Sequence, residues 1–200
     1  MKLLKSLAFL LVLAPTPTLA NGNISSSEMS YLIKTCFETF YHAGGQPFQV
    51  DRGKFASMGF TTLRDDAGEF EAQEIVSEQI RSFQKIRSGP MFRARRNAKK
   101  PTRLLNKSCR ISGGDSGYHA PFTSLSSIKV QSMLEAEAKR RGFKPYRNAK
   151  GKVVWIKGDV AVFLTLTFPV AQGQSADGKQ PPSFVYVDGV HPKDLRGISR

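Results

Sequence analysis

Cys36 and Cys109 are the only cysteines in the 200-residue chain, and their settings restrict its fold more than any other feature. Cys36 belongs to the series Met29, Leu32, Ile33, Cys36, Phe37 and Phe40. Its i, i+3, i+4, i+7, i+8, i+11 spacing predicts one apolar stripe on a helix. Cys109 lies in Leu104-Leu105-Asn106-Lys107-Ser108-Cys109-Arg110-Ile111, a strand-like stretch that leads into a glycine-rich loop. Two cysteines allow a single intramolecular pairing, which an oxidising compartment makes the default. A bond between them requires the first helix to lie on that strand, both lining one core.

The compartment is read from the first twenty residues. Met1-Lys2-Leu3-Leu4-Lys5 is a charged start, Leu7 to Ala14 an apolar run, and Thr18 and Ala20 are small residues at the end. That order predicts a secretory leader (1–20) with cleavage after Ala20. The apolar run is about half of what a bilayer crossing needs, and no later stretch approaches that length. The expected localisation is therefore periplasmic or secreted, with no transmembrane segment in the mature chain. Residues 21–200 suit one exported domain with a sizeable core.

Within that domain the element order reads as two helix-then-β units, about 25–114 and 115–190. Ser25 and Glu28 form a capping-box pattern ahead of the first helix, which the Gly44-Gly45 pair would close. A short helix follows from Asp51, with Val50 and Phe55 as a hydrophobic staple, then a strand from Gly59 to Arg64 and a turn at Asp65-Asp66-Ala67-Gly68. In the second unit Thr123 or Ser124 is placed to cap a helix through Ile128, Val130, Met133, Leu134 and Ala138, stopped at Gly142. Both units share the pattern G-F-x-x-[L/Y]-R-[D/N]-x-x-G, starting at Gly59 and Gly142, each time directly behind a helix. After Gly151 the chain is rich in β-branched and aromatic residues. Val153–Ile156 and Val160–Phe168 flank a Gly158-Asp159 turn, and Phe184–Val187 forms a further strand. The expected class is α+β: an antiparallel β meander in the C-terminal half packed on amphipathic helices. The stretch 72–87 is ambiguous, with Ala72, Val76, Ile80 and Phe83 at helical spacing.

Charge is segregated along the chain. The formal net charge is +14, and eleven basic residues with no acidic one fall between Gln79 and Gly114. Just before them, from Asp65 to Glu78, stand six acidic residues and no basic one. A block of cations without counter-charge repels itself unless an anion lies alongside. The basic segment 81–110 thus suggests a polyanion-binding face built on Arg93, Arg95, Arg96, Lys99, Lys100 and Arg103. The partner would be an anionic envelope component or an acidic protein. An exported address disfavours nucleic acid, and no nucleic-acid-binding motif is present.

Motifs that would carry catalysis are weak. Gly114-Asp115-Ser116-Gly117 resembles the nucleophile motif of the trypsin-like serine proteases, which would make Ser116 a nucleophile. That family needs a histidine and an aspartate upstream in a double β-barrel. Here the only upstream histidine, His42, ends a helical pattern, and helices flank the motif. Gly113, Gly114 and Gly117 with Asp115 and Ser116 fit a strand-to-helix loop instead. His119 is the one candidate general acid or base, as in a small secreted nuclease, but spacing sets no second catalytic group beside it. No two His or Cys residues stand at metal-ligand spacing, and no glycine-rich phosphate loop occurs. The expectation is a non-catalytic exported protein without cofactor or metal, with a small secreted hydrolase using His119 as the alternative.

Overall fold

The computed structural model describes residues 23–38, 50–66, 78–85, 90–97, 107–113, 122–167 and 179–190, together with Leu195 and Ile198. In chain order the elements are α1 (Ser26–Glu38), α2 (Arg52–Ser57), β1 (Phe60–Asp66), β2 (Glu78–Lys85), β3 (Met91–Asn97) and β4 (Lys107–Ser112). They continue with α3 (Ser127–Arg140), β5 (Lys144–Arg147), β6 (Val153–Lys157), β7 (Val160–Thr167) and β8 (Phe184–Gly189). The class is α+β, as expected.

All eight strands join one sheet in the order β1-β2-β3-β4-β8-β7-β6-β5. Every neighbouring pair is antiparallel. Each half of the chain thus lays down its own four-strand meander, and the last strands of the two halves, β4 and β8, meet at the centre. On one face α1 lies over β4, α3 lies over β7 and beside α1, and α2 packs on β1.

The caps explain where the helices begin and end. Ser25 and Glu28 close the expected capping box: the Ser25 amide donates to Glu28 Oε2 at 2.7 Å and the Glu28 amide to Ser25 Oγ at 3.3 Å. Asp51 caps α2 through the Lys54 amide. The cap of α3 is Ser126, whose Oγ accepts from the Lys129 amide, and not Thr123 or Ser124. Thr123 is drawn elsewhere because its hydroxyl donates to the Ile24 carbonyl at 2.7 Å, tying the segment before α3 to the segment before α1. The repeated G-F pattern has a shared physical cause. Gly59 and Gly142 follow the last turns of α2 and α3 at φ 82° and 83°, a region costly for other residues. Phe60 and Phe143 next to them are buried.

One reading left open by the sequence is decided and one further expectation is corrected. The stretch with Ile80 and Phe83 at helical spacing is strand β2 over its described part, because pairing with β1 and β3 decides it. Asp65 and Asp66 lie inside β1, opposite Arg81 and Ile80, and not in a turn. Helix α1 is described to Glu38, so Phe40 and the Gly44-Gly45 stop fall outside the described residues.

The main core lies between the helices and the sheet. Met29, Leu32, Ile33 and Phe37 of α1 and Val130, Leu134 and Ala138 of α3 pack on Phe92, Ala94, Ile111, Trp155, Val162, Val185 and Val187. Cys36 and Cys109, both without solvent exposure, are joined as a disulfide with Cα atoms 5.3 Å apart. The expected contact between the first helix and the strand is therefore covalent. The bond fits an extracellular or periplasmic protein, and among the described residues no helix is long and apolar enough to cross a membrane.

Two ionic contacts tie the helices down. Lys85, 4% exposed at the end of β2, donates to Glu28 Oε1 at 2.6 Å and to the Asn23 carbonyl at 3.3 Å. Burial pushes the Glu28 carboxyl up, but hydrogen bonds from Lys85 and Ser25 and the Lys85 charge outweigh it and hold the group below its ordinary value. At the far end of α1, Arg141 donates to Glu137 at 2.6 Å and to the Lys34 carbonyl at 3.1 Å, with its guanidinium over the Phe37 ring.

Candidate functional site

The sheet face away from the helices is divided. Over β5–β7 it carries a small second core of Val154, Ile156, Ala161 and Val190, against which Tyr146, Phe163, Leu195 and Ile198 pack. Apolar residues on both faces of the β6–β7 hairpin are thus covered, one set by the helices and the other by Val190, Leu195 and Ile198. Over β3, β4 and β8 the same face mixes polar and charged residues with Met91, Phe184 and Tyr186.

Strand alternation builds this second region. Phe92 and Ala94, Cys109 and Ile111, and Val185 and Val187 face the helices, so the residues between them face away. The register sets Arg93 opposite Arg110, Arg110 opposite Tyr186, and Tyr186 opposite Thr165. One step along, Ser108 stands opposite Asp188. Arg93, Ser108, Arg110, Tyr186 and Asp188 line a pocket of about 260 Å³.

Arg110 is held by its surroundings. Its guanidinium sits 5.4 Å from the centre of the Phe184 ring, and that ring stacks on Tyr186 at 5.7 Å with planes 20° apart. Its Nε is withdrawn from solvent and meets no hydrogen-bond acceptor. Two arginines directly opposite on neighbouring strands repel, and a buried donor without an acceptor adds about 1–3 kcal/mol of cost. An anion seated between them would offset both. The lining thus combines two guanidinium groups, a carboxylate, a hydroxyl and an aromatic wall.

Of the residues singled out from sequence, the structure brings Arg93 into this pocket, exposed on β3. Position 95 falls on the same face of β3 as position 93, and position 96 on the other. Lys99, Lys100 and Arg103, and likewise Ser116, His119, His42 and His191, lie outside the described residues, as does the glycine-rich loop from Gly114 on. Arg110, Ser108, Tyr186 and Asp188 were not singled out. Strand alternation around Cys109 places Arg110 and Ser108 once β4 is known. Tyr186 and Asp188 join them only through the β4–β8 pairing, which no local pattern announces. Among the described residues no group of three His, Cys, Asp or Glu side chains converges as a metal site.

Comparison with known proteins places no name on this arrangement: no family model matches the chain, and no curated protein and no solved structure matches it.

Proposed function

We propose that the chain is an exported, non-catalytic docking protein that holds an anionic partner, an envelope component or an acidic protein, on the sheet face formed by β3, β4 and β8. The observation that carries this reading is Arg110. It stands opposite a second arginine, lines a pocket, and leaves a buried Nε without an acceptor. The formal net charge of +14, or +12 once Lys2 and Lys5 leave with the leader, adds long-range attraction for such a partner. The leader-like start and the disulfide support an oxidising address outside the cytoplasm.

Retention on a heparin column tests the reading. Charge-driven contact weakens steeply as salt rises from about 50 to 200 mM. Arg93→Glu with Arg95→Glu should elute at much lower salt than the parent with an unchanged melting curve. Retention that ignores salt, or a double variant that binds like the parent, would remove the basis for a docking face.

A further inference from the structure

The segment just before α1 is fixed by residues far along the chain. The Asn23 carbonyl accepts from Lys85 Nζ at 3.3 Å. Ile24, 1% exposed in the main core, donates its amide to the Phe122 carbonyl at 2.8 Å and accepts the Thr123 hydroxyl on its own carbonyl at 2.7 Å. Both backbone polar groups of Ile24 are thus committed. Ser25 and Glu28 follow at once as the cap of α1, and Glu28 is bonded to the same Lys85 ammonium.

We infer that this anchor sets the order of leader removal and folding. The Ala20–Asn21 bond is open to a leader peptidase only until Asn23 and Ile24 dock on Lys85, Phe122 and Thr123, and the folded chain then seals it. The inference rests on the leader reading of residues 1–20 and is independent of the docking face.

Chain length carries the first part of the argument. Only Asn21 and Gly22 separate the bond from Asn23. Three extended residues reach about 11 Å at most, so the folded domain stands directly beside the bond. A peptidase takes the residues around a scissile bond in extended form, pairing with their backbone as an added strand would. Asn23 and Ile24, third and fourth after the bond, are not offered in that way while their backbone groups serve the anchor. Hydrolysis adds one water across the amide and leaves the Ala20 carboxylate and the Asn21 α-ammonium, with the peptidase supplying the catalytic groups.

The positions of the partners carry the second part. Lys85 and Thr123 follow Asn23 and Ile24 by 62 and 99 residues. A chain exported as an unfolded thread therefore exposes the bond first and forms the anchor later. The buried Cys36–Cys109 bond then fixes α1, which begins two residues after Ile24, to the sheet. A chain that folds uncut would keep its leader and stay at the membrane, so the contact that seals the mature end also separates a released form from a tethered one.

The test uses the full precursor, residues 1–200, and a purified leader peptidase in detergent micelles, with cleavage read by intact mass and N-terminal sequencing. One sample is refolded and oxidised. The other is reduced and alkylated at Cys36 and Cys109, both without solvent exposure in the fold, so the added groups keep the core from closing. The alkylated chain should be cut after Ala20. The oxidised chain should be cut at least about tenfold more slowly, because cleavage then waits on local opening of the anchor. About eight Gly and Ser residues inserted between Ala20 and Asn21 should bring the oxidised chain to within about twofold of the alkylated one, since a flexible spacer carries the bond clear of the domain. Lys85→Met with Thr123→Val loosens the anchor and should speed cleavage of the oxidised chain several-fold.

Equal rates for the oxidised and alkylated chains, or a spacer chain that stays as slow as the oxidised parent, overturns the inference. A double variant that folds and is still cut at the oxidised parent's rate assigns the block to something other than the anchor and overturns it as well. If the double variant does not fold, the spacer chain alone decides. An alkylated chain left uncut after Ala20 removes the leader reading, and the inference falls with it.

Discussion

Strand β4 has two faces that do opposite things. Cys109 and Ile111 are fully buried beneath α1, one of them bonded to it, within the main hydrophobic core. Arg110, between them in sequence, faces a polar pocket with a second arginine directly opposite and one donor left without an acceptor. Three consecutive residues thus contribute both to the main core and to a buried donor without an acceptor. Buried polar atoms without partners are uncommon in native folds, and each one calls for an explanation. The contrast teaches that the helix side of this sheet carries the packed core, while the far side of β3, β4 and β8 is where the proposed docking face lies. That division can be broken by experiment.

The largest effect should come from the helix side. The Cys36–Cys109 bond closes a loop with a sequence separation of 73, and loop-closure entropy assigns such a bridge about 4 kcal/mol. Cys36→Ser with Cys109→Ser should lower unfolding stability by about that much in denaturant titrations. A loss below about 1 kcal/mol would show that the α1–β4 contact holds without its covalent link.

Next in size is Leu134, fully buried on α3. Leu134→Ala removes buried methyl groups and leaves a cavity, for an expected cost of about 3 kcal/mol. Urea unfolding monitored at Trp155, itself buried in the same core, reads it directly.

Glu28 tests the ionic part of the helix side. Glu28→Gln leaves the buried Lys85 ammonium without its carboxylate, at a cost of about 2 kcal/mol. The pH dependence has a definite sign. The folded-state pKa of Glu28 is held below its ordinary value, so its contribution is present above the unfolded-state pKa and is lost as pH falls through the folded-state value. Stability measured from neutral pH down into the acid range should therefore fall less steeply for Glu28→Gln than for the parent. Glu137 shifts in the same direction: burial raises its carboxyl, and the hydrogen bonds from Arg140 and Arg141 outweigh that. It leaves a residual slope in the variant.

The smallest effect belongs to the far face. Arg110→Ala removes a guanidinium that faces a like charge and an unsatisfied donor. Relief of the like-charge contact and of the unsatisfied donor offsets the lost contact with the Phe184 ring, so stability should stay within about 0.5 kcal/mol of the parent or rise. A loss of 2 kcal/mol or more would mean that Arg110 is a structural group, and the division between the two faces would fail.

Much of this molecule was legible in the sequence, and what was legible is local. The stripe through Cys36, the Ser25–Glu28 capping box, the Asp51 cap and the two-residue turn at Gly158-Asp159 each follow from spacing or from one residue's conformational range. They reappear in α1, α2 and the β6–β7 hairpin. The glycines at 59 and 142 are of this kind too, because a left-handed residue after a helix is a backbone requirement. The cysteine pair was also legible, since two cysteines leave a single intramolecular pairing. Where sequence reading went astray, contacts from elsewhere decided. Helical spacing at Ile80 and Phe83 gave way to pairing with strands on both sides, and Thr123 was taken from its helix by the Ile24 carbonyl. The pocket is the clearest case. Arg93 could be suspected from its charge block. Its meeting with Arg110, Tyr186 and Asp188 depends on β4 lying beside β8, and strand neighbours far apart in sequence are chosen by how the whole sheet buries its apolar face, which no short stretch of residues encodes.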